Sequence, residues 1–89
     1  MVLNNKAQKK PSPVYPAAAI AERVSGQVSV LVIYDETGHV ISATAFGDKL
    51  LKEAAEKAAY QAVFPPTSVN GKRVKVRGYL TYEFDLHEK

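Results

Sequence analysis

The sequence predicts an α+β domain with element order α-β-β-α-β. Its three-stranded antiparallel sheet has strand order 2-1-3, with two helices packed on one face. Three observations predict it. Residues 27–34 read Gln-Val-Ser-Val-Leu-Val-Ile-Tyr, the most continuous β-branched run in the chain, and such residues fit a pleated surface. Residues 74–86 alternate apolar and polar, a period of two that marks one strand with a dry face and a wet face. Between them Leu51, Ala55, Ala58 and Ala62 recur at helical spacing.

Size and composition bound the rest. The 89 residues, 46% apolar and 24% charged, fit one globular domain rather than a disordered chain. There is no cysteine, so disulfides, thiolate metal sites and a cysteine nucleophile are excluded. No apolar run approaches the ~20 residues that span a bilayer. Residues 1–6 lack the apolar segment of a signal peptide. This reading favours a domain cut from a longer protein. The net charge of +3 is too small to demand a nucleic acid.

Residues 1–14 read as a flexible N-terminal arm and residues 15–87 as the folded domain. Lys9-Lys10-Pro11-Ser12-Pro13 is polar, and its prolines favour extended backbone. Asn4-Asn5 suits a small turn. Pro16 opens a helix, where its missing N–H costs nothing. Ile20 and Val24, four apart, share the face expected to dock on the sheet. Gly26 is the expected left-handed cap.

The run at 27–34 is then the central strand, and its near-continuous apolarity predicts burial on both sides. Asp35-Glu36-Thr37-Gly38 is a hairpin turn whose glycine takes positive φ. Residues 39–46 return as a strand with Ile41, Ala43 and Ala45 on one face. Asp48 is a helix N-cap. Pro65 and Pro66 forbid the second helix to continue. Asn70-Gly71 is a tight turn, and one long strand runs from there to Leu86. Gly78 interrupts its apolar face, the pattern of a bend or a close approach.

Catalytic and metal constellations are absent from the pattern. His39 and His87 have no second ligand at metal spacing. No serine has a base and an orienting group placed beside it by a local motif. The glycines form no phosphate-binding loop. The expectation is no enzyme, no cofactor, no metal and no nucleic acid. Alternation places Arg73, Lys75, Arg77 and Tyr79 on one exposed face of the last strand. Basic residues there discourage edge-to-edge aggregation or serve peptide binding, readings favoured over single-stranded nucleic acid. The last strand lies at the sheet edge, and such an edge accepts an added strand through backbone hydrogen bonds. It is equally open to a strand-swapped homodimer.

A set of short pieces carries a family likeness. They are Val14-Tyr15-Pro16, Ser25-Gly26-Gln27-Val28, Asp35-x-x-Gly38-His39-Val40-Ile41, Ala54-Ala55 to Ala58-Ala59, Phe64-Pro65-Pro66 and Tyr82-Glu83-Phe84. In this order and spacing the chain resembles the C-terminal domain of TonB proteins, the energy transducers of the periplasm. The resemblance implies a periplasmic domain, anchored in the inner membrane in the full-length protein. That protein's N-terminal region would engage proton-driven motor proteins. The domain would bind the TonB box of outer-membrane receptors by β-strand addition and transmit force for active uptake. By the same resemblance the peptide-binding residues are Lys75, Val76, Arg77, Gly78, Tyr79, Leu80 and Thr81 of the last strand, flanked by Ser12, Val14 and Tyr15 of the arm. Well-studied members carry Gln-Pro-x-Tyr-Pro, whose glutamine contacts receptors; here the stretch is Ser12-Pro13-Val14-Tyr15-Pro16. TonB-like domains also end sensor and other envelope proteins, so the alternative is an interaction module with no receptor role.

Overall fold

A computed structural model describes residues 7–86; the turn read at Asn4-Asn5 and His87 lie outside them. The elements are α1 (Ala17–Ala21), β1 (Gly26–Tyr34), β2 (Val40–Phe46), α2 (Lys49–Tyr60), β3 (Thr67–Val69), β4 (Lys72–Val74) and β5 (Val76–Phe84). β2, β1 and β5 form an antiparallel sheet in the order β2-β1-β5. This is the predicted 2-1-3 order, with both helices on one face.

That face holds the core. Val28, Val30, Val32 and Tyr34 of β1, Ala43 and Ala45 of β2, and Leu80, Tyr82 and Phe84 of β5 are all buried. Leu51, Ala55, Ala58 and Ala59 of α2 cover them. Three alanines on that face bring α2 close to the sheet, while each fully buried valine or leucine contributes about 1.5–3 kcal/mol. Asp48 caps α2 as expected, accepting from the Leu50 N–H at 2.9 Å. Beyond α2, Phe64 is buried and stacks on Tyr34 with ring centroids 4.6 Å apart.

Several expectations need correction. The long last strand is two strands: β4 pairs with β3 in a small second sheet, and Lys75 separates β4 from β5. Asn70 and Gly71 both take positive φ in the connecting turn, the two-residue hairpin whose twist suits strands. The sequence signals the turn but not the sheet, because the flanking strands are short and polar. Second, β1 is buried on one side only; Leu31 and Ile33 are half-buried on the open face. Third, Ile41 does not share a face with Ala43 and Ala45. A register shift between Ile33 and Tyr34 leaves Ile41 unpaired and 50% exposed, the effect of a β-bulge. Fourth, α1 buries Ala19 rather than Ile20, which is half exposed.

The end of α1 also differs from the expected glycine cap. Arg23, at φ 55°, takes the left-handed position. The Val24 N–H donates to the Ala19 carbonyl and the Arg23 N–H to the Ile20 carbonyl, the bond pair of a Schellman motif. Gly26 lies inside β1 instead. Gly78 pairs with Val32 in a ladder that runs unbroken from Gly26–Phe84 to Tyr34–Val76, so it marks no bend.

The β1–β2 turn is the tightest local structure. The Gly38 N–H donates to the Asp35 carbonyl, and the Asp35 N–H to the His39 carbonyl. The Asp35 carboxylate accepts from the Thr37 N–H, the Thr37 hydroxyl and the His39 N–H. Gly38 has φ 92°, and a Cβ there would lie 1.8 Å from the Phe64 carbonyl oxygen. Positive φ and this close approach both demand glycine.

Candidate functional site

The sheet has two outer edges, on β2 and on β5. In an antiparallel ladder each residue directs both backbone groups to one side, and the sides alternate. Asp35, at the end of β1, bonds toward β2. Odd-numbered residues of β1 therefore face β2, and even-numbered ones face β5. Through the register, even-numbered residues of β5 bond to β1, so Arg77, Tyr79, Thr81 and Glu83 aim their N–H and C=O groups outward. A contact confirms the assignment: the Lys10 ammonium donates to the Thr81 carbonyl at 3.1 Å from outside the sheet.

Beyond Lys75 lies β4 of the second sheet. Even-numbered Val74 pairs with Thr67 as even-numbered Val76 pairs with Tyr34. The two hairpin partners meet through side chains, for Tyr34 and Thr67 share a hydroxyl hydrogen bond of 2.8 Å. Exposure alternates through the junction: Arg73, Lys75 and Arg77 are exposed, and Val74 and Val76 are half-buried.

Side chains of the predicted site fall into three groups. Arg77 and Tyr79 lie on the open sheet face and, with Leu31 and Gly78, border a shallow pocket of about 300 Å³. Gly78 and Leu80 face the core and Val76 packs at its margin, so only their backbones belong to the strand, and those bond inward. Ser12 and Val14 lie elsewhere: with Pro13 and Pro16 they border a groove of about 460 Å³ against α2, at Lys49, Leu50, Glu53, Ala54, Lys57, Ala58 and Gln61.

Tyr15 anchors the arm. Its hydroxyl donates to the Val24 carbonyl, and its ring meets Phe84 edge-on at 5.4 Å. Burial, and then the neighbouring Asp85 charge, raise its phenol above the usual range. The other end of the arm is fixed at Val63, whose carbonyl accepts from the Gln8 and Lys9 N–H groups. Between these points Lys10 crosses the Tyr82 ring, 4.6 Å from its centroid. Tyr82 is buried with a hydroxyl that has no partner among the described residues, and burial pushes its phenol up to about 12. Sequence reasoning missed Lys10, because nothing local in Lys9-Lys10-Pro11 signals a contact with the last strand.

It also missed Glu56. On the helix pattern this is a solvent-side residue, yet its carboxylate accepts from the Ala45 N–H at 2.8 Å. By the alternation above, that N–H points off the outer side of β2. Val63 bridges His39 at the start of the same strand, and the Phe64 N–H donates to the Gly38 carbonyl. Among the described residues the β2 edge is covered at both ends, and Lys10 reaches the β5 edge at Thr81.

Among the described residues no helix is long and apolar enough to cross a membrane. No curated protein sequence matches the chain significantly. Among solved structures, the C-terminal domain of Pseudomonas aeruginosa TonB, determined in solution, superposes with a TM-score of 0.74. The match covers 100% of this chain and 96% of that one at 22% identity, a likeness of fold. The model of the Gram-negative bacterial TonB protein C-terminal family matches residues 11–86, and the chain belongs to that family.

Proposed function

We propose that this domain accepts the TonB box of an outer-membrane receptor as an added strand on the β5 edge and passes force to it for active uptake. Family membership supports the reading, since TonB C-terminal domains are protein-interaction domains of the Gram-negative periplasm. The observation that carries it is the outward edge itself. Arg77 and Tyr79 direct their backbone groups away from the sheet, at the edge opposite the covered β2 strand. Backbone pairing of this kind recognises an extended segment with little demand on its side chains. In the full-length protein an inner-membrane anchor and its motor partners would lie outside these residues. Tyr15 holds the arm against Phe84 at the far end of the edge, while Ser12 and Val14 line the groove against α2.

The test is an NMR titration with TonB-box peptides from the host's own receptors. Amide shifts concentrated on residues 75–81 support strand addition. Tyr79→Pro removes an outward N–H while leaving the β1 ladder intact. It is expected to weaken the peptide at least about tenfold, the loss of one to two strand hydrogen bonds in a site that gains little else. Unchanged affinity in a folded Tyr79→Pro variant would remove this edge from consideration. No shifts at millimolar peptide would favour the interaction module without receptors.

A further inference from the structure

A groove lies away from the sheet edges, between the arm and α2. Ser12, Pro13, Val14 and Pro16 form one wall, and α2 lines the other from Lys49 to Gln61. Leu50, Ala54 and Ala58 make the floor; Ala58 is buried, and Leu50 and Ala54 pack against the core. Val14 stands 82% exposed on the opposite rim. Strand addition at β5 makes no use of this groove.

Its dimensions and its polar groups decide what can lie in it. Spread along the ~18 Å of a twelve-residue helix, the volume of about 460 Å³ is a channel about 5 Å across. An α-helix, ~10–12 Å across with its side chains, is too wide. An extended peptide fits poorly for another reason. Its buried N–H and C=O groups need partners, and neither wall supplies a row of them. α2 spends its backbone groups on its own hydrogen bonds, and Pro13 and Pro16 have no N–H. A hydrocarbon chain is one methylene wide and asks for no partner.

Charge complementarity sets the head group and its direction. The lining carries two lysines against one glutamate, and Lys57 is paired with Glu53 at 3.6 Å. Lys49 has no partner among the described residues, and the neighbouring Asp48 carboxylate is taken by the Leu50 N–H. The other end of the groove closes on neutral Gln61. We propose that this groove binds a free fatty acid as its single-chain anion, with the carboxylate at Lys49 and the tail along Leu50, Ala54 and Ala58. The proposal is independent of strand addition at β5.

The test is an NMR titration of the labelled 89-residue chain with octanoate, decanoate and dodecanoate below their micelle concentrations. Amide shifts should concentrate on Val14 and on residues 49–61. Affinity should rise about fourfold for each two methylenes, half the gain of full burial because the groove is open on one side. Dodecanoate should bind about threefold more tightly than dodecyltrimethylammonium, the worth of one exposed ion pair. In Lys49→Glu that order reverses, and retained binding of the cationic amphiphile shows that the variant is folded. Ala54→Phe fills the channel and should abolish binding of both, with amide signals away from α2 unchanged.

No groove shifts with millimolar dodecanoate, affinity that does not grow with chain length, or equal binding of the two head groups by the parent would each overturn the proposal. So would shifts on the open sheet face in place of the groove, the mark of adventitious detergent binding. An extended valine–threonine peptide producing the same groove shifts at equal affinity would overturn it in favour of a peptide site. Anionic lipid vesicles that bind while dodecanoate does not would overturn it in favour of a membrane surface. The β5 edge is read separately, by the receptor-peptide titration, so the two readings fail apart.

Discussion

The two edges of one sheet are finished in opposite ways. The β2 edge is closed by parts brought from elsewhere in the chain. Val63 bridges His39, the Phe64 N–H reaches the Gly38 carbonyl, and the Glu56 carboxylate takes the Ala45 N–H. A bulge at Ile41 interrupts what remains. Among the described residues the cover seen on the β5 edge lies at Thr81. A lysine ammonium touches one carbonyl, and the backbone groups of Arg77 and Tyr79 point outward. Exposed edges invite pairing and are usually blunted. Among the described residues the chain blunts one edge with distant parts and leaves backbone groups of the other pointing outward.

The comparison can be broken most severely at Gly38. Valine there meets the Phe64 carbonyl at a distance no Cβ tolerates and must adopt φ near 92°. Gly38→Val should cost about 3 kcal/mol or more, from left-handed strain and overpacking together. Denaturant unfolding measures it, and a loss below about 1 kcal/mol would mean that the Phe64 crossing is not rigid.

Glu56→Ala comes next. It leaves the Ala45 N–H unpaired and should cost about 1–2 kcal/mol. The variant should also self-associate more than the parent in sedimentation, because β2 then offers an open edge. A monomer of unchanged stability would show that Glu56 does not guard this strand.

A smaller effect lies under the open edge. Tyr82 is protonated in the fold up to about 12 against an ordinary 10.0. The stability this represents is complete below pH 10 and falls as pH rises toward 12. Tyr82→Phe should flatten that alkaline loss in pH-dependent melting. Removing a buried hydroxyl without a partner should also leave neutral-pH stability equal or up to about 1 kcal/mol higher. A variant less stable at neutral pH would reveal a bond to that hydroxyl.

The smallest effect is spectroscopic. The Thr37 hydroxyl, then the His39 N–H, hold the Asp35 carboxyl below its ordinary value of 3.8. The turn's contribution is present above that value and is lost as pH falls through the lowered one. The Thr37 and His39 amide signals should titrate together, below the ordinary carboxylate range. Titration at or above 3.8 would count against the turn's hydrogen bonds.

What the sequence made legible was whatever is written locally. β-branched runs, alternation, the Asp48 cap and the glycine of the Asp35–Gly38 turn each depend on neighbouring residues, and each is where it should be. The strand order followed, since a hairpin and a crossover helix leave few arrangements. Illegible features depend on parts distant in the chain. Glu56 looked solvent-facing because helical spacing says nothing about a strand edge alongside. Ile41 matched the spacing of Ala43 and Ala45, and only pairing with β1 shows the bulge. Arg23 took the left-handed position although Gly26 stood nearby, because Val24 must reach back to Ala19. At the site the edge strand was readable from its alternation. That its odd-numbered residues face outward is a property of registers, and no single strand contains it.

The ladder that pairs Gly26 with Phe84 at one end and Tyr34 with Val76 at the other also constrains how the domain comes into being. β1 is the middle strand, yet its second neighbour is the last element of the chain. Until β5 emerges, the valines of β1 lack Leu80 and Tyr82 on one flank, and the hairpin with β2 has little to hold it. Closing so long a loop carries an entropic cost before any contact offsets it, which places this domain among slower folders for its size. A chain that lacks β5 leaves the valines of β1 uncovered on one flank, so acquisition of structure waits for that strand.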